Sequence, residues 1–196
     1  ATPYKGVFEG NGHIISGLNI NGTKSYQASF LGYCDNITLR NFTLEGSITS
    51  TATYTGAVVS RIQNGCTIYG VNSKVDISMS GTGSAYAGGI VGWLVGASGA
   101  KYTIERCSYD GIMNVTSRNY AAGIVGNNSG NYDNITIKDC SVAGSIKGGN
   151  YLAGIIANFG GANSAKAKIE NCLVANTITG TGTSVGAIWS YTNAAT

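Results

Sequence analysis

The chain has 196 residues, enough for one sizeable domain, and 43% of them are hydrophobic against 11% charged, a balance that excludes a disordered segment. Its formal charge of +3 comes from scattered Lys and Arg with no run able to follow a phosphate backbone, which excludes nucleic acid as a partner. No apolar run approaches the roughly 20 residues of a membrane-spanning helix, so no membrane insertion is expected.

Taken in chain order, the sequence alternates two short phrases. After an opening strand region from Tyr4 to Ile20, the second phrase enters as Leu39-Arg40-Asn41-Phe42 and the first as Gly56-Ala57-Val58-Val59. They return as Ile68-Tyr69-Gly70-Val71, Gly89-Ile90-Val91-Gly92, Ile104-Glu105-Arg106-Cys107, Gly123-Ile124-Val125-Gly126, Ile137-Lys138-Asp139-Cys140, Gly154-Ile155-Ile156-Ala157, Ile169-Glu170-Asn171-Cys172 and Gly186-Ala187-Ile188-Trp189. Counted from the shared glycine of the first phrase, the steps are 33, 34, 31 and 32 residues. A fixed period of this size is the signature of a stacked repeat.

Within a repeat the apolar residues fall in short β-branched runs broken by Gly, Asn and Ser, and no stretch of ten residues keeps a helical period. Residues 122–146 read as strand, turn, strand, corner, strand. The fold predicted is therefore all-β: a parallel β-helix, or β-solenoid, of about six coils with about 32 residues each, forming a single domain over 1–196 with partial coils at both ends. Inward ladders are expected from the aliphatic residues of both phrases and from Ile48, Ile77, Met113, Ile146 and Ile178. Protruding turns are expected between the phrases, as at 96–101 and 160–168. A β-propeller is the rival, and its blades require sharper strand-turn alternation than this chain shows.

Five cysteines invite a disulfide or zinc reading. Cys107, Cys140 and Cys172 share one repeat position, filled earlier by Phe42 and Val71, so that position is an apolar slot and its thiols are expected to be buried and free. Parallel Cβ vectors about 4.8 Å apart do not suit a disulfide. Cys34 and Cys66 lie outside this column, and their pairing is left open. No Cys-x-x-Cys occurs and His13 is the single histidine, so no metal site and no cofactor are expected.

The acids are nine and scattered: Glu9, Asp35, Glu45, Asp76, Glu105, Asp110, Asp133, Asp139 and Glu170. Glu45, Lys74 and Asp110 would share one column and read as surface pairing. Outward charges Glu105, Lys138 and Glu170 alternate in sign and favour register over stability. His13 lies in a Gly-Asn-Gly-His turn without a nucleophile beside it and is expected to close the first coil by a hydrogen bond. No catalytic residue is identified, and the chain is not expected to be an enzyme. Tyr26, Tyr54, Tyr86, Tyr120 and Tyr151 precede the first phrase and form either a stacking ladder, the favoured reading, or a glycan grip. No Thr column is expected to persist through successive coils, which gives ice binding little weight.

The opening Tyr4-Lys5-Gly6-Val7-Phe8-Glu9-Gly10-Asn11-Gly12-His13-Ile14-Ile15-Ser16-Gly17-Leu18-Asn19-Ile20 resembles the start of bacterial GLUG-type repeat regions. The phrases Ala87-Gly88-Gly89-Ile90-Val91-Gly92 and Ile-x-x-Cys resemble their repeating body, departing at Ser29-Phe30-Leu31-Gly32 and Val58-Val59-Ser60. Such regions occur in adhesins and in non-catalytic parts of IgA-specific metallopeptidases. The resemblance implies a right-handed coil and an extracellular or cell-surface location in a bacterium, after removal of an export signal that the opening Ala1-Thr2-Pro3-Tyr4 does not contain. The function expected is a non-catalytic structural or adhesive β-solenoid that meets a host or environmental glycan or protein. One alternative is a fibre subunit, self-associating end to end through open coil ends. A further alternative is a carbohydrate-binding or carbohydrate-cleaving module on the tyrosine column.

Overall fold

In the computed structural model, residues 2–23, 27–80, 83–115, 120–129, 134–160 and 167–193 are described. They form strands and turns with no helix among them, and each strand pairs in parallel with its counterpart one coil away. The chain is an all-β solenoid. Its second sheet marks off the coils in sequence order: Gln27–Ala28, Tyr54–Gly56, Tyr86–Gly88, Tyr120–Ala122, Tyr151–Ala153 and Ser184–Gly186. Six such rungs enclose about five full turns of about 32 residues, close to the six coils expected.

The strand Tyr4–Gly22 and the strands Leu31–Ser50 and Val59–Met79 run through most of a coil without a break. They turn corners because single residues adopt the left-handed conformation while pairing continues on both sides. The corner just before the cysteine column holds Asn11, Asn41, Gly70, Arg106, Asp139 and Asn171, all at φ between 49° and 62°. Asn, Asp and Gly tolerate that region, whereas Arg106 does so against the usual preference.

Inside, like stacks on like. Leu39, Ile68, Ile104, Ile137 and Ile169 form one column, and Ile20, Ile48, Ile77, Met113, Ile146 and Ile178 another. The middle members of the second column are sealed, with Ile48, Ile77, Met113 and Ile146 at most 1% exposed. Each such side chain contributes about 1.5–3 kcal/mol of transfer free energy. Cys107, Cys140 and Cys172 are consecutive neighbours: the Ser141 amide donates to the Cys107 carbonyl at 3.0 Å and the Leu173 amide to the Cys140 carbonyl at 2.9 Å. Their thiols aim at the carbonyls of Ile68, Ile104 and Ile137 one coil back, at 3.6–3.7 Å. All five cysteines are free, Cys34 and Cys66 included. Burial pushes the thiols of Cys34 and Cys66 up to about 12, so they stay protonated at neutral pH. Cys140 is raised by the Cys107 contact and by burial, and Cys172 by burial.

Three expectations need correction. The first phrase is aligned one residue off at its outer copies: Gly56 pairs with Gly88 and Gly186 with Ala153, while Ala57 and Ala187 occupy the level of Gly89 and Gly154. A β-carbon on Gly56, Gly88 or Gly186 would collide with the carbonyl of Val59, Val91 or Trp189 across the corner, yet Ala122 and Ala153 hold the same column, so glycine and alanine exchange between two adjacent small positions and the glycine alone does not mark the alignment. The second concerns threonine. Thr38, Thr67, Thr103 and Thr136 do stack through four successive coils, but their steps of 29, 36 and 33 residues hide the column in unequal coil lengths. The third concerns the tyrosines, since Gln27 occupies the rung below Tyr54 and Ser184 the rung above Tyr151. Tyr26 itself lies outside the described residues, as do Asp133 and most of the turn between Gly160 and Lys168.

Candidate functional site

The tyrosine ladder is set by one short strand per coil, in which the residue between tyrosine and the small residue faces the core. Ala87, Ala121 and Leu152 are buried there, so pleating turns Tyr86, Tyr120 and Tyr151 the other way. The rings lie face to face along the axis: Tyr54 and Tyr86 at 5.7 Å, Tyr86 and Tyr120 at 5.2 Å, Tyr120 and Tyr151 at 4.5 Å, with interplanar angles from 6° to 27°. Trp93 joins them, stacked on Tyr54 at 4.3 Å.

Those contacts decide what the ladder can do. A sugar grips an aromatic ring on its face, and here faces between neighbouring coils are turned to one another. Tyr120 also packs on Ala122, Ala153 and Ala157, a small apolar cluster separate from the main core. Beside it the Asn158 amide donates to the Asn127 side-chain oxygen at 2.6 Å, with both residues buried. The ladder therefore seals an outer corner of the coil, as a stacking device.

Next to it stands a feature the sequence reading missed. Arg61 lies between Tyr33 and Trp93 in paired register, its guanidinium 4.6 Å from one ring centre and 4.9 Å from the other. This is a cation held between two π faces, worth about 0.5–2 kcal/mol. Trp93 is fixed by its indole N–H donating to Ser129 at 2.6 Å. The signal was present in the spacing of Tyr33, Arg61 and Trp93, but only the coil register reveals it.

The charged columns behave as surface pairs. Lys74 meets Glu45 at 3.3 Å with Asp110 one coil further in register, and Lys138 reaches Glu105 at 4.0 Å and Asp139 at 3.6 Å. Exposed pairs of this kind contribute less than about 1 kcal/mol. Asp35 is different, because its carboxylate accepts from Gln63 at 2.9 Å and Asn64 at 3.1 Å and meets Lys5 at 3.2 Å. The two amide donors, then Lys5, hold it below the usual carboxylate range. Glu9 is lowered too, by the Asn11 backbone N–H and then the Asn41 amide. His13 is exposed on the first strand, its backbone paired beside Phe42.

A shallow depression of about 320 Å³ opens on the face that carries the second phrase, lined by Arg40, Asn41, Thr67 and Tyr69. In the left-handed corner column Gly70 stands between Asn41 and Arg106, and the Asn41 side-chain oxygen packs 3.0 Å from where a β-carbon on Gly70 would be. Arg106 donates to the Tyr69 hydroxyl at 2.8 Å and lies 5.5 Å over its ring. Among the described residues, no group of three or more His, Cys, Asp and Glu is placed to hold a metal ion. Comparison with protein-family models, with curated proteins and with solved structures finds no match to this chain, so its site is read from its own geometry.

Proposed function

We propose that this chain is a non-catalytic extracellular β-solenoid, a structural and adhesive segment of a bacterial surface or secreted protein. The observation that carries the reading is the coil itself: sealed aliphatic ladders within and, outside, a coat in which small neutral polar residues outnumber charges. Such a rod presents surface at fixed spacing without investing in chemistry. The resemblance to GLUG-type repeats supports the bacterial surface setting. The single threonine column does not favour ice binding, because the next outward column holds Arg40, Tyr69, Glu105 and Lys138, whose long side chains break a flat face. The test is retention of the purified chain on arrays of glycans and matrix proteins, run beside a reducing-sugar assay. Retention without sugar release is expected; release overturns the non-catalytic reading, and no retention anywhere overturns the adhesive one.

A second reading, end-to-end stacking into a fibre, is favoured by where apolar side chains are exposed. Tyr4 on the first coil is 40% exposed and Val185, Ile188 and Trp189 on the last are 45%, 40% and 53%, whereas Cys34, Leu152, Ile155 and Ile156 beside them in the same columns are fully buried. Phe8, Ile15 and Ile20 stand in the same columns as Ile169, Val174 and Ile178, so one copy set on another would continue each ladder. Sedimentation velocity and electron microscopy across concentration test this, and a strictly monomeric species discards it.

A further inference from the structure

We propose that the column of Cys107, Cys140 and Cys172 binds one soft metal ion of the class of Cu(I), Ag(I) and Hg(II), held in line between the Cys140 thiolate and that of a neighbouring rung. The site lies inside the coil and does not depend on the adhesive reading.

The thiols are placed alike from rung to rung. Each donates to a carbonyl of its own coil at 3.2 Å, that of Glu105, Lys138 or Glu170. Each also lies 3.6–3.7 Å from a carbonyl one coil back. Sulfurs repeated in this way are separated by the rung spacing of about 4.8 Å. An ion midway between two of them is then about 2.4 Å from each, close to the roughly 2.3 Å of a metal-sulfur bond. Cys107 and Cys140 are consecutive members of the column, near enough for the first to raise the thiol of the second.

The surroundings select the ion. Among the described residues no third His, Cys, Asp or Glu is placed to complete a metal site, so a tetrahedral zinc ion lacks its ligands. Soft thiolate donors suit soft ions, which accept two ligands in line. The carbonyl oxygens of Ile68, Ile104, Glu105 and Lys138 lie against the sulfurs of Cys107 and Cys140. They disfavour bare thiolates and favour a cation in place of the two protons. Both residues are 1% exposed, and two thiolates on a divalent ion leave no net charge in that buried place, which makes Hg(II) the best match of the class. Loading breaks two S–H bonds, forms two metal-sulfur bonds and releases two protons to solvent, with no change of oxidation state.

Val71 fills the same slot one coil before Cys107 and is fully buried, so Cys→Val substitutions keep the packing of the column. Cys34→Val and Cys66→Val are combined first, leaving a full-length chain whose thiols are those of the column. One equivalent of Hg(II) is added beside excess glutathione, which strips ions from single thiols, and the metal retained is read by native mass spectrometry, with melting curves for each variant. This chain is expected to retain one Hg(II) and, in a parallel titration, no Zn(II). Adding Cys140→Val is expected to cut retention at least tenfold, because Cys107 and Cys172 stand two rungs, about 9.6 Å, apart. Cys107→Val or Cys172→Val alone leaves one pair and keeps the ion, whereas the two together lose it. No retention by the starting chain, equal retention of Zn(II), or retention that Cys140→Val leaves intact overturns the proposal. If Cys140→Val does not melt cooperatively, the double variant Cys107→Val with Cys172→Val decides, and retention there overturns it equally.

Discussion

At the scale of single residues, the corners carry the strictest demands. Gly46 sits at φ 143°, and a β-carbon there would run into the Leu18 backbone one coil below. The crowding has a local cause, since the first strand shifts register between Ile15 and Leu18 and presses its backbone against the second. Conformational strain and overlap act together in Gly46→Ala, which is expected to lose about 2–4 kcal/mol of stability by chemical denaturation; a loss below about 1 kcal/mol would refute this account. Asp35 provides a second residue-level test. Because its folded carboxyl titrates below the ordinary value of 3.8, its stabilising bonds are fully present above about pH 4 and are lost as pH falls through the depressed range. Glu9 acts in the same direction from its ordinary value of 4.5. Melting temperature is expected to fall below about pH 4, and Asp35→Asn to flatten that fall while lowering stability at pH 7. An unchanged acid limb in the variant would show that other carboxylates govern it.

At the scale of elements, the ladders explain why sequence spacing revealed so much of the fold and less of the surface. The inward aliphatic column of the second phrase repeats one residue class, so Ile68, Ile104 and Ile137 announce themselves, and Cys107, Cys140 and Cys172 fall where their shared period puts them. One outward column mixes classes: Tyr33, Arg61, Trp93, Asn127 and Asn158 occupy one line and share no chemistry that a repeat search detects. Unequal coil lengths obscured the threonine column, and the exchange of glycine and alanine between two adjacent small positions hid the alignment of Gly56 and Gly186. For the tyrosine ladder, Tyr120 stacks on Tyr86 and on Tyr151. Removing both contacts with Tyr120→Ala is expected to cost about 2–4 kcal/mol by denaturant titration, whereas Tyr120→Phe keeps the stack and costs less than about 1 kcal/mol. Equal losses in the two variants would assign the ladder's contribution to the hydroxyl instead.

At the scale of the whole molecule, the solenoid is a chain of nearest-neighbour contacts. Interior coils are covered on both sides, while the first and last expose Tyr4, Val185, Ile188 and Trp189 at the ends of columns that are buried between them, so local opening free energies are lowest at the ends. Strands of the second sheet stack in the order of their coils, each reached from the last by a crossover through the rest of the coil, and each hydrogen bond between rungs points along the rod. Tension applied to the two ends therefore loads those bonds one rung at a time, like tape lifted from a roll. Single-molecule pulling is expected to give a series of small, similar steps, each releasing a turn of about 32 residues, or about 110 Å of extended chain; one abrupt rupture of the entire rod would contradict it. A tether made this way yields by degrees and absorbs a tug before it lets go.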